Sequence, residues 1–348
     1  MESKLMGPNK KHSIAVILAT YNGERYLNEL LDSIENQDVL PDELIIGDDG
    51  STDKTLQIIA NFKKRSRIPI TVEVNKTRLG YGENFLRTAS LAKSDLIAFA
   101  DQDDIWLPSK LSTCLQSFDD PNVAMCAHTA ILIDEYGKEI GLFSQGIHKD
   151  CVYQPGELEP WGVFAGFSIV IRRSILQSIS RHIRGLASHS VNVKCAHDRW
   201  AYFLADAYGK TITISKPLVK YRQHSENLFG SGQKGTFAAI RDTLQNINNV
   251  IARSKIYIAI AEHRARLLEE AAAQATDRKT AAILLNASSR WSAIARNEKA
   301  RCEIYMEKSN AKKILRLCRN IVSGTYKTKR SISTKLRACF KDFIYCFI

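Results

Sequence analysis

The stretch "DLIAFADQDDIWLPSKL", Asp95–Leu111, decides how the rest of the chain is read. Its apolar run, Leu96–Ala100, ends abruptly in Asp101, Asp103 and Asp104. A short unbroken apolar run is what a strand buried on both faces looks like. Three carboxylates within four residues repel one another, so the turn needs something that offsets their charge. Pro108 then opens a helix that places Leu111, Cys114, Leu115 and Phe118 on one face. The fragment is a strand, an acidic turn and a helix.

Three similar units precede it. "SIAVILAT" (Ser13–Thr20) is a buried strand, followed by a helix over Glu24–Gln37 with Leu27, Leu30, Leu31 and Ile34 in phase. "ELIIGDDG" is the second strand, and Ser51, Thr52 and Asp53 start the helix after it. "IPITVEVN" is the third strand, before a helix over Glu83–Lys93. Such alternation predicts a parallel sheet covered on both faces, with ligands beyond the carboxyl ends of its strands. The clusters "TYNGE", "DDGSTD" and "DQDD" fall at those ends.

Further strands are predicted in "VAMCAHTAILID" and "FSIVIRR", and a helix in "HDRWAYFLADAYG" ended by Gly209. "KTITISKPLVKYRQHSENLFG" reads as a strand, a turn and a polar loop. "GSGQKG" (Gly230–Gly235) is the linker candidate, dividing residues 1–230 from a basic, helical extension over 231–348. The 348 residues carry a net charge of +12, but 231–348 hold 23 Lys+Arg against 9 Asp+Glu, while 1–230 sum to −2. The basic character belongs to the tail. No apolar run approaches the roughly 18 residues of a membrane span. "MESKLMGPNKKHS" lacks an apolar leader segment, and the eight cysteines form no CxxC pair. A reduced, cytoplasmic protein is the expectation.

A hard divalent cation, Mg²⁺ or Mn²⁺, would relieve the aspartate repulsion and bridge to a diphosphate. The rival reading is a turn of helix-start carboxylates. The ordered set "ATYNGERY", "IGDDGSTD", "NKTRLGYGENFLRTA", "ADQDDIW" and, downstream, "AGFSIVIRRSIL" and "HDRWAYFLADAYGKTITISKPLVKYRQHSENLFG" resembles the family 2 glycosyltransferases. The rhamnosyltransferase-like members of bacterial surface polysaccharide synthesis are the most similar, over residues 12–230. The resemblance implies a GT-A fold: an α/β, Rossmann-like mixed sheet flanked by helices, here with a C-terminal helical extension.

It also implies roles. Thr20, Tyr21, Asn22 and Glu24 lie against the donor nucleotide, and Asp48 accepts from the pyrimidine base while Asp49 supports its loop. Arg78, Gly82 and Asn84 close on the nucleotide. Asp103 ligates the cation, Asp101 contacts the ribose or the cation, and Gln102 joins the donor side. Asp198, in the His197-Asp198 pair, is the general base, with capping of its helix as the rival reading. His197 places the acceptor or packs. His224 completes the metal shell, contacts phosphate or packs in its loop, and Arg222 pairs with the donor diphosphate. Trp106 and Trp161 stack on acceptor sugars or belong to the core.

Arg199-Trp200 lacks the glutamine of the processive synthases' Q-x-x-R-W, so transfer of one sugar is expected. The expected activity is metal-dependent, inverting hexosyl transfer from a pyrimidine-diphosphate sugar (dTDP-rhamnose or a UDP-hexose) to a growing, lipid-linked O-antigen or capsule glycan. Alternatives are a sugar nucleotidyltransferase, although "ATYNGERY" is not that class's glycine-rich basic loop, and a non-catalytic membrane-associated scaffold. In the tail, a helix over Ser333–Ile348 would align Leu336, Phe340, Phe343, Ile344 and Phe347, with Lys335, Arg337 and Lys341 away from them. Such a segment lies on an anionic membrane at the inner face of the cell membrane or packs on the catalytic domain. No nucleic-acid module is present.

Overall fold

The computed structural model describes residues 12–187, 190–224, 247–326 and 332–347. These form two compact units. One runs through Arg184 and resumes from Ala196 to residue 224; the other joins Gly185–Cys195 to the described residues from Ile247 onward. The expected linker at 230–235 and the boundary at 230 lie outside the described residues.

The first unit begins with β1 (Ile14–Thr20), α1 (Leu27–Glu35), β2 (Glu43–Asp48), α2 (Thr55–Arg65), β3 (Ile70–Val74), α3 (Tyr81–Ala89) and β4 (Leu96–Asp101). After β4 come β5 (Ile105–Trp106), α4 (Lys110–Gln116), β6 (Val123–Ile133), β7 (Glu139–Phe143), β8 (Cys151–Tyr153) and β9 (Ile169–Arg172). One turn of helix, α5 (Arg173–Leu176), closes that run. The two-stranded pair β10 (Leu186–Ala187) and β11 (Ser190–Lys194) belongs to the second unit, before α6 (His197–Tyr208) and β12 (Lys210–Arg222) return to the first.

The main sheet has the order β3-β2-β1-β4-β9-β6-β12-β5, with β7 on β6 and β8 on β12. β1 to β4 pair in parallel, as their alternation with helices requires. The sheet is mixed because β9 runs antiparallel to both β4 and β6. Ile14–Leu18 of β1 and Leu96–Ala100 of β4 are wholly buried, so these strands do form the two-sided core that their composition predicts.

Where a strand and a turn were expected in "KTITISKPLVKYRQHSENLFG", one long strand, β12, runs through with an irregularity at Pro217. The register of β12 against β6 slips on either side of Pro217, whose missing N–H cannot join the ladder. Gly209 ends α6, as expected, and does so with extended backbone. Glycine is needed there because a Cβ would stand 2.7 Å from the Asn122 carbonyl oxygen.

The second unit is helical. α7 (Ile247–Ala273) and α8 (Arg278–Met306) form a hairpin across a four-residue connection, where Asp277 caps α8 by accepting from Thr280 N at 2.8 Å. α9 (Asn310–Val322) and α10 (Ile332–Tyr345) follow. Ile304, Tyr305, Leu317, Tyr345 and Cys346 make the unit's small core. Helix α10 thus turns Tyr345 and Cys346 inward and leaves Phe340, Phe343 and Phe347 exposed. The side chains of Lys335, Leu336 and Arg337 are outside the described residues. None of the described helices is long and apolar enough to cross a membrane.

Candidate active site

β4 and β6 both oppose β9, and β12 runs parallel to β6, so β1, β2, β4 and β12 end at one edge of the sheet. The chain leaving β4 turns through Asp101–Asp104 into β5, which pairs antiparallel with Val219 and Lys220 of β12. This short pairing carries the end of β12, residues 222–224, to the acidic turn.

The loops after β1 and β2 are bolted together. Asp48 is fully buried; its Oδ1 accepts from Gly50 N (3.1 Å) and Ser51 N (2.8 Å), and its Oδ2 from the hydroxyls of Thr20 (2.7 Å) and Ser51 (2.6 Å). Those bonds occupy the carboxylate, so Asp48 anchors the loop and does not offer itself to a base. Asp49 does support its loop, as expected, accepting from Asn75 Nδ2 and from Leu79 N and Gly80 N at 2.7 and 2.8 Å. Asn84 is buried too, donating to Gly47 O at 2.7 Å and accepting from Asn75 Nδ2.

Gly82 lets α3 approach the start of α6, since a Cβ there would stand 3.2 Å from Ala196 Cα. Asn22, at φ 48°, accepts from Thr52 N through its side chain, and Glu24 accepts from Lys54 N. The Gln102 amide clasps both backbone groups of Tyr21, at 2.9 and 3.1 Å. Thr20, Asn22, Glu24, Asp48, Gly82, Asn84 and Gln102 are thus each held by hydrogen bonds or close contacts within this frame. Tyr21 and Arg78 face outward from this frame, the guanidinium 3.8 Å over the ring.

Asp101 feels the charges of other carboxylates. Loss of water, then the nearby charges of Asp103 and Asp198, push the Asp101 carboxyl up to about 7. Asp198 thus lies within electrostatic reach of Asp101, although they are far apart in the chain. It sits inside the first turn of α6, whose cap position is Ala196, and accepts from the adjacent Arg199 N at 2.6 Å. The helix-cap reading of Asp198 is set aside. Its neighbour His197 packs among Phe85, Phe99 and Tyr81, its ring 4.0 Å from that of Phe85, and burial pulls its pKa down to about 4.

Asp103 and His224 meet, with Nε2 2.8 Å from Oδ2. Among the described residues, no three His, Cys, Asp or Glu side chains are placed to cage an ion by themselves.

Arg222 has another task than pairing with a diphosphate. It is 1% exposed; Nε donates to Asp103 O (2.9 Å), Nη1 to Glu135 O (3.2 Å) and Nη2 to Glu29 Oε2 (2.8 Å), above the Tyr26 ring. Its backbone N–H donates to Asp104 Oδ1 at 3.1 Å. Asp104, without a role in the sequence reading, therefore pins the end of β12 to the acidic turn.

Sequence reasoning missed Lys110. It is wholly buried, donates to Phe167 O at 2.7 Å and lies 3.3 Å from the centroid of the Trp106 ring. Its charge bears on Asp101 and Asp104 from beneath, while burial pulls its own pKa to about 7. A lysine in the first turn of an amphipathic helix reads as solvent-facing, so no sequence signal marked it. Trp106 is core, 2% exposed, whereas Trp161 stays partly exposed and accepts from Arg199 Nη1 through its carbonyl.

Residues 15–180 match the model of glycosyl transferase family 2. A dTDP-rhamnosyl transferase of Shigella flexneri is 31% identical over 225 residues, covering 62% of this chain and 74% of the relative. An uncharacterized glycosyltransferase of Nostoc sp. is 27% identical over 253 residues, 69% of this chain and 76% of the relative. Among solved structures, S. aureus TarS in complex with UDP-GlcNAc superposes with a TM-score of 0.53 at 16% identity, covering 91% of this chain and 93% of that one. That likeness gives the GT-A fold.

Proposed function

Because the chain belongs to glycosyl transferase family 2, we propose that it is a metal-dependent, inverting transferase of a single sugar. The donor in this reading is a pyrimidine-diphosphate sugar, dTDP-rhamnose or a UDP-hexose. The acceptor is a growing, lipid-linked O-antigen or capsule glycan at the inner face of the cell membrane. The observation that carries the reading is the family match over residues 15–180, with Asp103 and His224 meeting at the shared edge of β1, β2, β4 and β12. The name of the Shigella relative supports rhamnose as the donor sugar.

Asp198 takes the proton from the acceptor hydroxyl as that oxygen attacks the anomeric carbon from the face opposite the diphosphate. It lies in the first turn of α6, where the helix dipole attracts a negative side chain. Tyr21 and Arg78 form the outer wall beside the nucleotide. The loops fixed by Asp48, Asp49 and Asn84 hold that wall rigid before substrate arrives.

The donor set fits a hard cation that shares its shell with substrate phosphates. Asp101 is half-buried beside the charge of Asp103, only partly offset by Lys110, and His224 Nε2 and Asp103 Oδ2 stand 2.8 Å apart. That is about the spacing of adjacent ligands on an octahedral ion with bonds near 2.1 Å. Asp103, Asp101 and His224 would hold the ion, which would offset charge on the departing diphosphate.

The test is Asp198→Asn with matched donor binding and turnover. Turnover should fall by about 10²- to 10⁴-fold while nucleotide-sugar affinity stays within error; undiminished turnover would mean the base lies elsewhere. A panel of nucleotide sugars, scored by thermal stabilisation with Mn²⁺ and again with a chelator, identifies the donor and reads the metal requirement.

A further inference from the structure

Helix α9 is turned the opposite way from an ordinary surface helix. Lys313, Leu317 and Asn320 face inward, where Asn320 Nδ2 donates to Ala300 O at 3.1 Å. Four apolar residues face out in two rows of heptad spacing, Ile314 with Ile321 and Leu315 with Val322, while Leu317 packs inward; Leu315 is 61% exposed and Val322 85%. Lys312 and Arg319, also seven residues apart and exposed, run along the flank of the Leu315 row.

The sequence of α9 holds four Lys or Arg and no Asp or Glu, and "KTKR", residues 327–330, follows it. In the same unit, Phe340 and Phe343 of α10 and Phe347, just past its end, are exposed. Exposed apolar rows with a basic flank are the pattern of a helix that lies in a bilayer interface.

We propose that the outward face of α9, with the phenylalanines of α10, docks on an anionic lipid bilayer. The rows enter the acyl boundary while Lys312 and Arg319 meet the headgroup phosphates. A second copy of the chain fits less well. Thirteen residues make a strip about 20 Å long and about 10 Å wide, roughly 200 Å², against about 800 Å² per partner in a stable interface. Pairing two such strips would also bring basic flanks together, whereas anionic lipid complements them. The proposal rests on the transferase reading only for its purpose, presenting the enzyme to a lipid-linked acceptor.

The experiment uses the full chain and co-sedimentation with vesicles of phosphatidylcholine, alone or with about 30% phosphatidylglycerol. The wild type should pellet with the anionic vesicles and stay in solution with the neutral ones. Leu315→Glu with Val322→Glu should weaken binding about tenfold or more at an unchanged circular dichroism spectrum. Lys312→Ala with Arg319→Ala should weaken it comparably and reduce its salt dependence. Pelleting of the Leu315/Val322 variant equal to wild type overturns the proposal. So does a lipid-independent dimer, seen by sedimentation velocity, that this variant converts to monomer. Nucleotide-sugar binding, measured without vesicles, reports separately on the transferase reading.

Discussion

Each unit of the molecule contains a knot of buried charge, and the two differ in what they tie. In the helical unit the centre is Asp342, fully buried, bonded to Arg301 at 2.8 and 3.1 Å, to the Tyr326 hydroxyl at 2.7 Å and to the Tyr305 hydroxyl. All these partners are side chains of the same unit. In the catalytic unit the centre is Arg222, and two of its partners are the carbonyls of Asp103 and Glu135. A buried charge demands partners because removal from water is costly, so it immobilises whatever supplies them. Around Asp342 that fixes helices. Around Arg222 it fixes the acidic turn on which the proposed chemistry depends.

The comparison is broken most directly at Asp342. Asp342→Ala strips Arg301 and two tyrosine hydroxyls of their shared acceptor, and should cost about 3–5 kcal/mol of stability. Urea unfolding would show this as a lowered midpoint, while nucleotide-sugar affinity below the transition stays at the wild-type value. If affinity falls too, the second knot is not confined to its own unit. Arg222→Met removes at least three hydrogen bonds and deprives the half-buried Asp103 and Glu135 carbonyls of this donor, at about 3 kcal/mol. Here both readouts should move: the unfolding midpoint drops, and the Mn²⁺ concentration needed for half-maximal donor binding rises. Arg222→Met with unaltered metal dependence would reduce Arg222 to a stabilising residue like Asp342.

The two knots were not equally visible in the sequence. The strand–helix alternation, the apolar runs at Ile14–Leu18 and Leu96–Ala100 and the acidic strand ends are periodic or local signals, and they gave the sheet and its ligand edge. The reversal of β9 is set by pairing between distant segments and leaves no local trace. The site was legible by location more than by role. Asp48, Asn84, Gly82 and Gln102 stand at the edge where they were expected, but their hydrogen bonds and close contacts turn inward. A carboxylate that binds a ligand and one that binds its own loop look alike in sequence, because only the surrounding backbone N–H groups distinguish them. Arg222 and Lys110 were misread or missed for a related reason: a basic side chain is assigned to solvent or phosphate until its burial is known.

A buried group that stays neutral sharpens the contrast through pH. His197 has its pKa depressed from the ordinary 6.5 to about 4 by burial. The unfolded chain takes up a proton at that position near pH 6.5, whereas the folded one does so only near 4. Its contribution to stability is therefore complete above pH 6.5 and is lost as pH falls toward 4. At pH 5.5 the loss from this residue is about 1.4 kcal/mol. His197→Phe, stacked in the same place on Phe85, should flatten the stability profile between pH 6.5 and 4 relative to wild type. Parallel profiles would mean that His197 is not held neutral.

The smallest effect on stability should come from Arg78, which neither knot holds. Its guanidinium is exposed and touches the Tyr21 ring, a contact worth about 0.5–1 kcal/mol. The frame beneath it is fixed independently by Asp49, which accepts from Leu79 N and Gly80 N, and by the Gln102 clasp on Tyr21. Arg78→Ala should therefore barely shift the melting temperature yet weaken donor binding, because a rigid wall has lost its outward-facing cation. Arg78→Lys should recover part of that affinity through charge and little through stacking, since lysine lacks the planar group. Unchanged donor affinity in Arg78→Ala, measured by calorimetry, would remove Arg78 and Tyr21 from the donor wall. The two bolted loops would then serve the fold alone, as the knot around Asp342 does.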